Sequence, residues 1–220
     1  MKKKILLGLM PLLMLLMAAV CTSCNGCTKG AQPETDGTAQ ADQAYHDYDG
    51  TAQDFTAGTA HIQALHRQTM QTLAGGGDFE WRNSRVVLSD TLTPGNIDRL
   101  QAVEVIDVFQ YWNDEGPWVQ TVITSRERGV QTPWPVNDVW IEDADLSAQP
   151  VSLSAEQALA RLKEWNGVLP RGCNFITLRL PVGPLDCNPQ WVVGGVYDPL
   201  FIDALTGAVS DSNPAFAVGE

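Results

Sequence analysis

The stretch Phe201-Ile202-Asp203-Ala204-Leu205-Thr206-Gly207-Ala208-Val209 decides how the C-terminal part of the chain folds. Phe201 and Ile202 lead into a polar hinge, and the chain leaves through Ala208 and Val209. Gly207 stands where a turn with positive φ carries no Cβ penalty. Asp203 can accept hydrogen bonds from turn N–H groups just downstream, and Thr206 can do so more weakly. The stretch therefore reads as a strand, a tight turn and a short outgoing strand.

Working outward, Ser154-Ala155-Glu156-Gln157 is a capping box and starts a helix to about Trp165. Ala158, Leu159, Leu162 and Trp165 form its apolar stripe, and Asn166-Gly167 stops it. Apolar runs at 174–180 and 190–197 follow. In the first, Phe175, Thr177 and Arg179 alternate with Ile176, Leu178 and Leu180, as expected of a strand with one solvated face. Upstream, Ile62, Leu65, Met70 and Leu73 mark a helical face ended by Gly75-Gly76-Gly77. His61 and His66 are five apart, so they do not share a ligand face, and both are expected at the solvent boundary.

Strand signals fill the interval between the helices. Phe79-Glu80-Trp81 and Val86-Val87-Leu88 flank a polar stretch, and Thr93-Pro94-Gly95-Asn96 marks a turn. Residues 102–112 have strong β-propensity, Asn113 to Pro117 turn the chain, and Trp118 to Ser125 run back. Trp112 and Trp118 are expected to pair across that hairpin. Thr132-Pro133-Trp134-Pro135 breaks the pattern, and Val139-Trp140-Ile141 resumes as a short strand.

The order helix, strand, strand, strand thus occurs twice, around 56–146 and 152–210, without residue-by-residue identity between the halves. The fold class expected is α+β: two helix-on-antiparallel-sheet units, a structural tandem repeat, spanning 56–146 and 147–220. The first half is similar in outline to a cystatin-like unit. The second, over residues 150–212 with its closing D-x-x-T-G strand, resembles a PepSY-type unit of bacterial secreted and envelope proteins. That resemblance implies protein binding and peptidase regulation, and its motif carries over no functional residues.

Residues 1–23 read as a lipoprotein signal peptide: Lys2-Lys3-Lys4, then an uncharged run from Ile5 to Val20, shorter than the ~20 residues of a spanning helix. The small residues lead into Cys21-Thr22-Ser23-Cys24, which resembles a lipobox. Cys24, preceded by Thr22 and Ser23, is the expected lipidation site, with Cys21 the alternative. The expected location is the bacterial cell envelope, lipid-anchored at the outer membrane or cell surface. Residues 24–55 are rich in Gly, Ala, Gln, Thr and Asp and read as a flexible tether.

After loss of residues 1–23, eleven basic residues face 26 acidic ones, a net charge near −15. That composition disfavours nucleic acid and anionic lipid surfaces as partners. The sequence holds no G-x-S-x-G elbow, H-E-x-x-H helix or folded C-x-x-C pair, so no catalytic residue, metal site or cofactor is assigned. Cys173 and Cys187 are either a disulfide of an exported protein or two free thiols. Trp134, held between Pro133 and Pro135, and Trp118, after Gly116-Pro117, are the candidate binding residues for an envelope or secreted protein. The alternative is a carbohydrate or small-ligand site built on the same tryptophans.

Overall fold

The computed structural model describes residues 51–195 and 197–216; the signal peptide, Cys21, Cys24 and most of the tether lie outside them. Two helices come first, α1 (Thr51–Ala57) and α2 (Thr59–Leu73), separated by Gly58 at φ 99°. Four strands follow: β1 (Phe79–Leu88), β2 (Ala102–Asn113), β3 (Gly116–Ser125) and β4 (Gly129–Gln131). After a long connection come α3 (Ala155–Glu164), β5 (Phe175–Arg179), β6 (Gln190–Val193), β7 (Leu200–Asp203) and β8 (Val209–Ser210).

All eight strands belong to one antiparallel sheet in the order β4-β3-β2-β1-β5-β6-β7-β8. The two separate sheets expected from the sequence are therefore corrected to one. The first strand of each half, β1 and β5, pairs along the seam, Val86 opposite Ile176 and Ser84 opposite Leu178. Each would otherwise present an unpaired edge, and joining them leaves only the short β4 and β8 outermost.

Because side chains alternate across a strand, the register sorts residues onto two faces. Val86, Val105, Phe109, Val122, Ile176, Leu178, Trp191 and Ile202 turn towards the helices and are buried there with Ile62 and Met70 of α2 and Leu159 and Leu162 of α3. Burying each such side chain contributes about 1.5–3 kcal/mol. Ile106, Val108, Gln110 and Trp112 point to the opposite face.

α3 starts as its sequence dictates: Ser154 Oγ accepts from Gln157 N–H, and Gln157 reaches back to Ser154 N–H. Glu156, in its first turn, also caps α2. Its carboxylate accepts from Thr59 N–H at 3.0 Å and from Thr59 Oγ1 at 2.9 Å, while Ala155 N–H donates to Thr59 Oγ1. Two helix N-termini, each carrying partial positive charge, thus share one acid. Burial pushes the Glu156 carboxyl up, but hydrogen bonds from the Ser154 side chain, its own backbone N–H and then Thr59 outweigh it and hold its pKa below the ordinary range.

Several local expectations are corrected. The buried stripe of α2 runs through Ile62, Gln63, His66 and Met70, while Leu73 is exposed. β1 is continuous through the polar stretch, with a bulge at Arg82 between Trp81 opposite Phe109 and Asn83 opposite Val108. In the β2–β3 hairpin Trp118 faces Tyr111 and Trp112 faces Pro117, so the two tryptophans do not pair. Val139-Trp140-Ile141 is not a strand: Trp140 N–H donates to the Gln110 side chain rather than to a neighbouring backbone.

Candidate functional site

Three places concentrate polar or exposed groups. The first lies under α2. His66 Nδ1 sits 2.6 Å from Asp107 Oδ2 and Nε2 sits 2.7 Å from Thr124 Oγ1. The carboxylate accepts, so Nδ1 donates to it, and Nε2 shares a hydrogen bond with the Thr124 hydroxyl. Trp81 Nε1–H donates to the other carboxylate oxygen at 3.1 Å, and Gln63 donates to Ser84 Oγ at 2.8 Å. Thr124, His66 and Asp107 have the connectivity of a hydroxyl–imidazole–carboxylate triad, yet they are 2%, 1% and 0% exposed. No substrate atom reaches Thr124 in this arrangement, and the network ties α2 to β1, β2 and β3. The solvent-boundary position expected for His66 is thereby corrected. The signal was present: His66 falls four residues after Ile62 and four before Met70, on one helical stripe.

The second place is the β7–β8 turn. Asp203 Oδ1 accepts from Leu205 N–H at 2.9 Å and Thr206 N–H at 2.7 Å, and Asn188 donates to Oδ2. Burial raises the Asp203 pKa, but the hydrogen bonds from Thr206, Asn188 and Leu205 lower it further and win. Gly207 takes φ 80°, and a Cβ there would lie 2.8 Å from Arg161 Nε. Between this turn and Arg161 and Glu164 of α3, with Trp165 just after it, runs an open cleft of about 380 Å³. It holds no convergent set of polar groups beyond that one ion-paired helix edge, Arg161 with Glu164 at 3.4 Å.

The third place is built by residues 132–147. Gln120 Nε2 donates to Pro133 O at 2.8 Å, and Val136 exchanges two backbone hydrogen bonds with Val119, at 2.8 and 2.9 Å. These contacts fix the chain on both sides of Trp134, whose prolines offer no N–H of their own. Trp134 stands 80% exposed. The chain then crosses the face of the sheet remote from the helices. Buried Gln110 holds it there, donating to Asp138 O at 3.1 Å and accepting Trp140 N–H at 2.7 Å. Farther on, buried Asp143 accepts from Asn83 at 3.0 Å and from Trp140 Nε1–H at 3.1 Å. Its other oxygen lies 2.5 Å from Arg179 Nε, an ion pair without good hydrogen-bond alignment.

With Trp140 turned inward, its neighbours must turn outward. Val136, Val139 and Ile141 are exposed at 60%, 48% and 80%, and Trp112, half exposed on the same sheet face as Gln110, stands beside them. Most exposed apolar side chains occur singly, whereas here four fall within eight residues held by buried polar anchors. Asp114, Glu115, Asp138 and Glu142 are exposed around them. No Lys or Arg occurs in 110–125 or 129–142, and Arg126 and Arg128 lie past the opposite end of β3.

Of the two tryptophans singled out by sequence, Trp134 heads this ridge. Trp118 does not join it: it lies on the helix side of β3, half buried, and its Nε1–H donates to Asn113 Oδ1. Val136, Val139 and Ile141 are the ridge residues that sequence reasoning missed. Cys173 and Cys187 are free thiols. Cys173 precedes the Ile176/Val193 end of the β5–β6 pair and Cys187 the Arg179/Gln190 end. Three residue steps of paired strand, about 10 Å, separate those ends, beyond the ~7 Å Cα reach of a disulfide. The disulfide alternative is thereby corrected. Burial first, then Asp203 and Asp186, push the Cys187 thiol pKa up. Among the described residues no three His, Cys, Asp or Glu side chains are placed to hold a metal ion. No helix of the described residues is long and apolar enough to cross a membrane. No protein-family model matches the chain, and neither does any curated protein or solved structure.

Proposed function

We propose that this chain is a non-catalytic protein-binding module of the bacterial cell envelope, anchored by lipid at Cys24, with Cys21 the alternative. The observation that carries the binding reading is the ridge of Trp134, Val136, Val139 and Ile141. Apolar side chains kept in water by a built-in scaffold cost solvation in the free protein and are covered when a partner docks. A rigid exposed tryptophan is the residue type that anchors such contacts.

The strand order supports a duplication, because it is symmetric about the β1–β5 seam, each half running helix then four meandering strands. The D-x-x-T-G stretch that carries the PepSY resemblance forms a closed turn, Asp203 accepting from Leu205 and Thr206 N–H and Gly207 at φ 80°. On that reading the partner is a secreted or envelope protein, and peptidase regulation is the activity class.

Affinity capture from native envelope with the wild-type chain and Trp134→Ala tests the proposal. A protein retained by wild type, lost with Trp134→Ala and bound directly when purified supports it. Equal retention by both baits refutes it. The second reading, carbohydrate binding, draws on the exposed indoles of Trp134 and Trp112 beside carboxylates. Glycan-array binding abolished by Trp134→Ala would favour it.

A further inference from the structure

The ridge also carries information about the partner, if it is a docking surface as proposed above. We infer that its occupant is a protein segment in which apolar side chains are flanked by Lys or Arg. The apolar part must match Trp134, Val136, Val139 and Ile141, which stand exposed along one short stretch. The charged part follows from the rim. Asp114 and Glu115 cap the β2–β3 hairpin, and Asp138 and Glu142 alternate with the ridge residues on the crossing segment.

Among the described residues none of these four carboxylates forms an ion pair. Two guanidinium groups beside the crossing segment are engaged with it or with β1: Arg179 lies against Asp143 and donates to Glu142 O at 3.0 Å, and Arg82 pairs with Glu80 and donates to Asp143 O. Arg85, exposed on the ridge-bearing face of β1, stacks over Phe175 with 4.8 Å from guanidinium carbon to ring centroid, while Arg126 and Arg128 lie past the far end of β3, where Arg128 pairs with Glu104. An acidic segment lying along residues 134–142 and the β2–β3 turn would meet Asp138, Glu142, Asp114 and Glu115, whereas a basic one is attracted and oriented. An anionic lipid headgroup is disfavoured for the same reason.

The test uses the purified full chain and two synthetic peptides of equal length, one alternating Leu with Lys and one alternating Leu with Glu. Affinity is read by fluorescence anisotropy at low and high salt. Two variants accompany wild type: Trp134→Ala, and the combined Asp114→Asn, Glu115→Gln, Asp138→Asn, Glu142→Gln. Asp138 accepts from Val139 N–H, a bond the Asn side chain can keep, and circular dichroism verifies that each variant folds.

The expected result is a preference of about tenfold or more for the Lys peptide at low salt, collapsing at high salt, where screening shortens the field to a few ångströms. The four-acid variant loses that preference, and Trp134→Ala weakens binding by about tenfold. Equal binding of both peptides, with loss in Trp134→Ala, overturns the basic-partner inference and leaves the docking surface standing. A Lys preference unaffected by Trp134→Ala overturns the docking surface itself. Failure of wild type to bind either peptide overturns the inference.

Discussion

Replacing Asp107 by Ala should be the most damaging single polar substitution in this protein. Asp107 is fully buried and accepts two hydrogen bonds, from His66 Nδ1 at 2.6 Å and from Trp81 Nε1 at 3.1 Å. Removing the carboxylate strands both donors away from water, and each unsatisfied buried donor costs about 1–3 kcal/mol. The Thr124 hydroxyl keeps its bond to His66 only if the ring stays in place. A total of about 3–5 kcal/mol is expected, the range for breaking a buried pair from one side. At this chain length that lowers Tm by roughly 6–20 °C. Asp107→Asn retains one acceptor oxygen and should cost less than half as much. Urea unfolding followed by tryptophan fluorescence measures both, and a double-mutant cycle with His66→Ala isolates the pair. A cost for Asp107→Ala below about 1 kcal/mol would refute the argument that this network holds α2 on the sheet.

Substitutions at four other residues probe the remaining parts of the fold. Glu156 has a folded pKa below its ordinary value of 4.5, so its contribution is complete above that pH and is lost as pH falls through the lowered value. The Tm difference between wild type and Glu156→Gln should therefore shrink on acidification below pH 4.5, and a difference that grows would contradict the capping of α2. Gly207→Ala places a Cβ on a residue at φ 80° and against Arg161, and should cost about 1–2 kcal/mol, with Gly207→Asn milder; equilibrium unfolding reads both. Gln110→Ala removes the acceptor of Trp140 N–H, so amide exchange at Trp140 should accelerate and stability fall by about 2 kcal/mol. Trp134→Ala, by contrast, should change stability by less than about 0.5 kcal/mol, because the side chain is exposed.

Local signals in the sequence were strong where one residue type can satisfy one backbone need. The capping box at Ser154 and Gln157, the Asx turn at Asp203 and the glycine stop after Ala74 are of this kind, and the helices and hairpins follow from them. Pairing between distant strands was not legible. β1 and β5 read identically whether each edges its own sheet or they join, since nothing in either strand names its neighbour. The face of β2 was also open. Val105, Ile106, Val108 and Phe109 surround Asp107 in sequence, and a run apolar on both faces does not say which side meets the helices. The structure turns Asp107 inward because His66 and Trp81 are there to receive it. The ridge was half legible. The prolines beside Trp134 announced a rigid exposed ring, but Val139 and Ile141 read as a strand. Only Gln110, together with Asn83 and Arg179 holding Asp143, all three from elsewhere in the chain, makes that segment a scaffolded crossing.

The central claim is that the ridge meets a partner protein in the envelope. Site-specific photocrosslinking in living cells tests it most directly, with the crosslinker at Ile141 and, as a control, at Val168, exposed outside the ridge. The account predicts a discrete heavier adduct from Ile141, absent from Val168 and abolished by Trp134→Ala. No adduct from Ile141, or the same pattern from both positions, would contradict it.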